Sequence, residues 1–259
     1  MLTLLNPNFD KMTFYNIINF KNNLIIISKL NENMVRISKT RKLIIIGLGE
    51  TSEMAYEYFS YDSNYEVSVF SVDEQYIDKE MLFGCPVIAL NHLTVSYPPD
   101  QFYVFIAISY TKLNRVRAQM YDRLKTMGYT FASYISSKAF VWRNVHIGDN
   151  CFILENNVIQ SNVKIGNNVY LWSGNHIGHR SEIADHCYIS SHVTVSGFCK
   201  IGKFCFIGVN SCINDAISIA EDCIIGSGSV VVKNTLPGKV YIGNPSKAMQ
   251  KDSYTAFKV

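Results

Sequence analysis

No apolar run in this 259-residue sequence approaches the ~20 residues that span a bilayer, so no membrane-crossing helix is expected. The first residues do not make a secretory signal, because Asn6, Asn8, Asp10 and Lys11 interrupt the place where an apolar core would form. Charge is also scarce. Only 17% of the residues are charged, and a net charge of +3 is too small to mark a nucleic-acid binder. The basic cluster from Arg36 to Lys42 reads as a solvated lead-in. None of the seven cysteines belongs to a CxxC pair, which leaves out a zinc ribbon and a thioredoxin-like site. Without a secretory signal they are expected as reduced thiols. Together these absences predict a soluble cytoplasmic protein with neither a nucleic-acid nor a membrane partner.

What the sequence does contain is a period. From Ile135 to Val231 an aliphatic residue recurs every six positions through seventeen consecutive hexads, without a slip. The residue four places later is mostly small or of middling size, as at Ala139, Cys151, Val163, Ser181 and Cys205. Glycine often follows the aliphatic directly, as at Gly148, Gly166, Gly178, Gly202, Gly208 and Gly226. Two inward positions and a turn in six residues describe one side of a three-sided coil that closes every eighteen. Neither a helical nor an alternating-strand period gives that spacing. The prediction is a left-handed parallel β-helix of between five and six coils, each covering the apolar edge of the one before.

The repeat accounts for the cysteines. Cys151, Cys187, Cys199, Cys205 and Cys223 fall at the small inward position, where a thiol acts as a small hydrophobe. Asn157 and Asn175, also inward and one coil apart, are expected to bond to each other along the axis as a short ladder.

Before the repeat, strands alternate with helices. Lys42–Ile46 and Val67–Val72 read as strands, with a helical stretch from Glu50 to Phe59 between them. Phe102–Ile108 reads as a third strand and Lys112–Met127 as a helix stopped by Gly128. This predicts a Rossmann-like parallel α/β domain over residues 41–132. Its first turn reads G-x-G-x-x-S, with Ser52 where a dinucleotide site would carry a third glycine. Two readings stand side by side: a tight strand-to-helix turn with no ligand, or a phosphate received by Gly47, Gly49 and the following helix N-terminus. Under the second reading Asp73 could accept bonds from a ribose or base, and Ala107 and Ser109 complete the candidate substrate-binding set. The domain is short for a dinucleotide fold, which favours a mononucleotide-type ligand over NAD. Residues 1–40 are an N-terminal extension without clear pattern, and Met34 offers an alternative natural start. The β-helix is assigned to 133–240 and a tail to 241–259.

Four of the six histidines, His176, His179, His186 and His192, crowd into four consecutive hexads. No two of the six stand two full coils apart, as hexapeptide carbonic anhydrases require, so no metal site is assigned. General-base catalysis is the other use. His179 is the third residue of its hexad, at a corner where the side chain points out, and Gly197 lies at the same place one coil on. A base below and an unshielded backbone N–H above suit acyl transfer, in which the N–H would bond the oxyanion.

With GLGE at Gly47–Glu50, uninterrupted hexads, KIGKFCFIGVNS at Lys200–Ser211 and GNPSK at Gly243–Lys247, the chain resembles the sialic acid O-acetyltransferase and bacillosamine N-acetyltransferase family over residues 41–250. The resemblance implies that the N-terminal domain holds a nucleotide-linked amino sugar, that the β-helix forms a homotrimer, and that acetyl-CoA lies between subunits. His179 would be the catalytic base and Gly197 the backbone donor to the thioester carbonyl. Gly197, Ser227, Lys233, Pro245 and Lys247 would meet coenzyme A. In the bacillosamine enzymes an acidic residue follows the histidine; here that position is Arg180, and Glu182, Asp185 or a neighbouring subunit is a candidate source of the carboxylate.

The leading expectation is direct, acetyl-CoA-dependent N-acetylation of a nucleotide-linked amino sugar for bacterial surface glycan (O-antigen) synthesis, without a metal or a covalent enzyme intermediate. Sugar O-acetylation at the same site and a non-catalytic nucleotide-sugar-binding protein are the alternatives.

Overall fold

The isoleucines of KLIII are β-branched and wholly buried, and they form the second half of strand β1 (Arg41–Ile46). A computed structural model of the protein describes residues 38–259, so the expectations for Met34 and the extension before it fall outside the described residues. After β1 come helix α1 (Glu50–Tyr61), β2 (Tyr65–Val72), β3 (Met81–Leu82), β4 (Cys85–Ala89), the single turn α2 (Leu93–Ser96), β5 (Phe102–Ile106), α3 (Arg115–Thr126) and β6 (Thr130–Phe131). The sheet runs β3-β4-β2-β1-β5-β6. It is parallel except for the β3–β4 hairpin, which the sequence reading did not anticipate. α3 begins at Arg115 rather than Lys112 because Lys112, Leu113 and Asn114 have φ of 49°, 50° and 64°, a left-handed run that cannot start a right-handed helix.

From Tyr134 the chain enters the β-helix, and seventeen two-residue strands follow between Tyr134–Ile135 and Val230–Val231. Each pairs in parallel with the strand eighteen residues on, as in Tyr170↔Tyr188, His176↔Thr194 and Glu182↔Lys200. They make three faces, called first, second and third here after those three pairs. All seventeen hexads hold their register, and the five predicted cysteines are wholly buried along the axis. The left-handed corner between strands is filled by asparagine at Asn150, Asn156, Asn162, Asn168 and Asn210, with φ of 52° to 60°. Asparagine tolerates that conformation better than most residues.

One expectation inside the coil fails. Asn157 and Asn175 do not bond to each other. Asn157 Nδ2 donates to the carbonyls of Leu154 (2.8 Å) and Trp172 (2.9 Å), and Asn175 Oδ1 accepts from Val193 N–H at 2.7 Å. Carbonyls at the turns take the amide hydrogens instead, with Asn175 Nδ2 also donating to Trp172. The ladder that does form is Asn150–Asn168–His186, at 2.7 and 2.9 Å, on the corner between the third and first faces.

The first face is covered by the α/β domain. Its outward side chains Tyr134, Phe152, Tyr170 and Tyr188 are buried against Phe59 and Phe105 in one aromatic cluster, with Phe105 stacked on Tyr170 at 6.1 Å. Rings of this size bury ~150–250 Å² each, which makes the seam a hydrophobic core shared by both parts of the chain. The strands Lys239–Ile242 and Lys247–Asp252 extend this face, and a final helical turn, Ser253–Phe257, is capped by Asp252 Oδ1 on Thr255 N–H at 2.7 Å.

Candidate active site

A cavity of about 850 Å³ opens at the carboxyl ends of β1, β2 and β5, where the chain turns one way from β1 to β2 and the other way to β5. Such switch points are where open α/β sheets bind ligands. Gly47, Gly49, Asp73, Ala107 and Ser109, the five predicted substrate-binding residues, all line it. Val116, Met120 and Arg123 close one side from α3, and Trp172 and Tyr188 close another from the β-helix. The indole N–H of Trp172 is buried without a hydrogen-bond partner.

The two glycines of the first turn have different causes. Gly47 has φ +130°, and a Cβ there would stand 2.5 Å from Ser52 Oγ and 2.9 Å from the Ala107 carbonyl oxygen. Packing of β1 against β5 therefore demands it. Ser52, in the place of a third glycine, is itself buried and donates to that carbonyl at 3.3 Å. Gly49, by contrast, has an ordinary φ of −83°, and a Cβ on it would meet nothing within 4 Å. The fold makes no demand for glycine there. Asp73 is not free, since Arg123 Nη1 donates to its Oδ1 at 2.6 Å.

Arg117, which sequence reading missed, holds the cavity against the β-helix. Its guanidinium is wholly buried and spends all five N–H donors on neutral oxygens. Two bonds reach the carbonyls of Ile108 and Ser109 on the cavity wall, and three reach Asn168 Oδ1, Asn168 O and Cys187 O on the coil. Its carbon end lies 4.1 Å above the Tyr170 ring, a cation–π contact deep in the seam.

His179 stands at the corner between the second and third faces, exposed, with its ring seated under Gly197. A Cβ at 197 would be 2.7 Å from His179 Cε1 and 3.1 Å from each ring nitrogen, so glycine is needed for the ring to lie there. The edge of the ring meets Phe198 at 4.9 Å between centroids. The expected open N–H on Gly197 is not open: it donates to Asp215 Oδ1 at 2.9 Å, the residue one coil further along the same corner. In this chain a carboxylate accepts the hydrogen that the sequence reading offers to an oxyanion. The two candidate carboxylates along the chain have other partners. Glu182 pairs with Lys164 at 3.1 Å, while Asp185 accepts from Asn167 N–H at 2.8 Å and faces Lys203 at 3.4 Å. Arg180 runs to the Phe198 ring, 6.0 Å from its centroid. The atom that meets the imidazole is Gln160 Oε1, 3.3 Å from Nδ1 and 2.9 Å from the backbone nitrogen of His179.

The predicted coenzyme A residues divide between two corners. Lys233 stands on the corner of His179, three coils on, while Ser227 lies on the corner between the first and second faces, beyond Trp172. Pro245 and Lys247 follow that same corner in the tail, with Ser246 N–H on the Val230 carbonyl at 2.8 Å. All four are exposed. Thus the cavity and His179 of one chain are not brought together: the second face lies between them. That face and its edges carry Phe140, Trp142, Val158, Val230 and Val232, with Phe140 53% and Trp142 45% exposed. Burial pushes the thiols of Cys151 (to about 12) and Cys199 up, so neither is a thiolate nucleophile.

Two comparisons with known proteins bear on this geometry. Residues 144–179 and 162–197 match the family described as bacterial transferase hexapeptide (six repeats), and 199–233 match the hexapeptide repeat of succinyl-transferase. No curated protein matches by sequence. Among solved structures, a perosamine N-acetyltransferase mutant from Caulobacter crescentus, in complex with CoA and GDP-perosamine, is 20% identical with a TM-score of 0.72, covering 81% of this chain and 97% of its own. The acetyltransferase domain of PglB from Neisseria gonorrhoeae, in complex with acetyl coenzyme A, is 24% identical with a TM-score of 0.70, covering 81% and 100%. WeeI from Acinetobacter baumannii is 22% identical with a TM-score of 0.69, over the same shares. Over that share the chain has their fold, an α/β domain followed by a left-handed β-helix. Among the described residues no helix is long and apolar enough to cross a membrane.

Proposed function

We propose that the protein transfers the acetyl group of acetyl-CoA to the amine of a nucleotide-linked amino sugar, in a cytoplasmic step of bacterial surface-glycan synthesis. The observation that carries the reading is the presence in one chain of both a nucleotide-sized cavity of about 850 Å³ at the sheet's switch point and, on a separate corner, an exposed histidine seated against the glycine one coil further on. The likeness in fold to enzymes solved with CoA and GDP-perosamine supports it.

In this reading Gly49 and the start of α1 receive the diphosphate, and Trp172 Nε1 supplies a donor from the β-helix wall. His179 Nε2 takes the proton from the attacking amine as nitrogen bonds to the acetyl carbon. The carbon–sulfur bond breaks, and the imidazolium returns the proton to the leaving thiolate. Gly197 serves by leaving room for the ring. Ser227, Lys233, Pro245 and Lys247 are the proposed coenzyme A contacts. Because one chain separates them, and separates His179 from the cavity, the complete site forms between copies of a homotrimer packed through the apolar second face.

The test is thiol release from acetyl-CoA against a panel of UDP-, dTDP- and GDP-linked amino sugars. One member of the panel should turn over, and His179→Ala should lower kcat by about 10²–10⁴-fold. Wild-type rates in His179→Ala would overturn the catalytic assignment, and failure to bind CoA would overturn acyl transfer altogether.

A further inference from the structure

The structure assigns to Gln160 the task of setting the tautomer of His179, an inference that rests on the reading of His179 as general base. Gln160 sits one coil before Gly178, the neighbour of the histidine, pinned by its own backbone N–H on the Ile177 carbonyl at 3.0 Å. Its side chain crosses to the next coil, where one atom meets both the backbone nitrogen of His179, at 2.9 Å, and ring Nδ1, at 3.3 Å.

The backbone contact identifies that atom. A peptide N–H can only donate, so the amide must present oxygen, not nitrogen, to it. The same oxygen then faces Nδ1, and an oxygen without a hydrogen requires Nδ1 to carry the proton. The neutral ring is therefore held as the Nδ1–H tautomer, with the lone pair on Nε2, on the far side of the ring from Gln160. That is the nitrogen a general base must offer. Left alone in water, a neutral imidazole side chain prefers the opposite form, so the tautomer needs an acceptor at this place.

The acceptor is an uncharged amide. Glu182 and Asp185, the nearby carboxylates along the chain, are engaged with Lys164 and with Asn167 and Lys203. Asp215 holds the Gly197 amide, and Arg180 lies along Phe198. An amide fixes the ring's orientation and proton without adding a negative charge beside it. Gln160 is in this sense a positioning residue, since it acts through His179.

Two-bond proton–nitrogen spectra of histidine-labelled protein test the assignment, alongside steady-state kinetics. The wild-type His179 ring should appear as Nδ1–H. Gln160→Leu should shift it to Nε2–H and lower kcat by about tenfold to a hundredfold, with both KM values within about twofold of wild type. Gln160→Glu should restore both the tautomer and most of kcat. An Nε2–H ring in the wild-type protein, or an unchanged kcat in Gln160→Leu, would overturn the role of Gln160 while leaving His179 as base. Full activity in His179→Ala would overturn the base instead, and the tautomer spectra would still show whether Gln160 sets the ring.

Discussion

The imidazole of His179 occupies the space that a side chain at Gly197 would need, with Cε1 only 2.7 Å from where the Cβ would be. The two residues are one coil apart, so the β-helix period itself brings them into contact.

Gly197→Ala should therefore push the ring aside without harming the fold, because Gly197 has an ordinary backbone conformation. We expect kcat to fall by about a hundredfold with little change in either KM. In a His179→Ala background the same substitution should have almost no further effect. Rates of the four proteins in a double-mutant cycle check this, and additive losses would count against displacement of the ring.

The two glycines of the first turn should separate sharply. Gly49→Ala has free space and an ordinary φ, so its unfolding transition should match wild type within about 0.5 kcal/mol. If a diphosphate approaches there, the KM for the nucleotide sugar should still rise several-fold. Gly47→Ala, at φ +130° and 2.5 Å from Ser52 Oγ, should lose at least about 2 kcal/mol of stability. Urea unfolding and initial-rate kinetics on both variants distinguish a ligand-binding turn from one that only packs.

Arg117→Met keeps an unbranched apolar stem but removes five hydrogen bonds, and with them the only side-chain donor to the Ile108 and Ser109 carbonyls among the described residues. The cost should be about 3 kcal/mol or more. Since those two carbonyls belong to the cavity wall, the KM for the sugar nucleotide should rise more than that for acetyl-CoA. Denaturant midpoints and the two KM values are the measurements.

His186 gives a pH dependence with a definite sign. Burial pushes its pKa below the usual ~6.5, and the neighbouring Arg117 charge adds to the shift although Asp185 opposes it. The unfolded chain then binds the proton more readily than the folded one, so stability rises with pH across that interval. The contribution is complete above the unfolded value and is lost as pH falls through the folded one. Protonation would also remove the acceptor that His186 Nδ1 offers to Asn168 Nδ2 at 2.9 Å. His186→Gln should flatten the slope of unfolding free energy against pH below ~6.5, measured beside wild type.

The hexads were legible because a six-residue period leaves no other fold, and the cysteines followed from it. The switch-point residues were legible because strand ends and glycines mark themselves. β3 and β4 were not, since CPVIA at Cys85–Ala89 is five residues long and holds a proline. Arg117 and Gln160 carry no signal at all: an arginine on a helix and a glutamine at a corner read as surface until the opposite wall is in place. Two features were readable and passed over. Asp215 stands one coil beyond Gly197, which foretells a partner for its N–H. Tyr134, Phe152, Tyr170, Tyr188 and Phe206 put an aromatic on every third hexad, which marks the covered face, whereas the third face shows His146, Lys164, Glu182 and Lys200 in the same position.

Positions 179, 197, 215 and 233 form one column, and each coil advances the chain by about 4.8 Å, so the solenoid is a ruler of about 14 Å from His179 to Lys233. Its graduations are whole coils. Adding or removing eighteen residues between those two positions would slide the tail along the axis by one mark and leave every face pointing as before. A length that is not a multiple of eighteen would turn the column away from itself. Reach along the groove can therefore change only in steps, while the chemistry at His179 stays where it is.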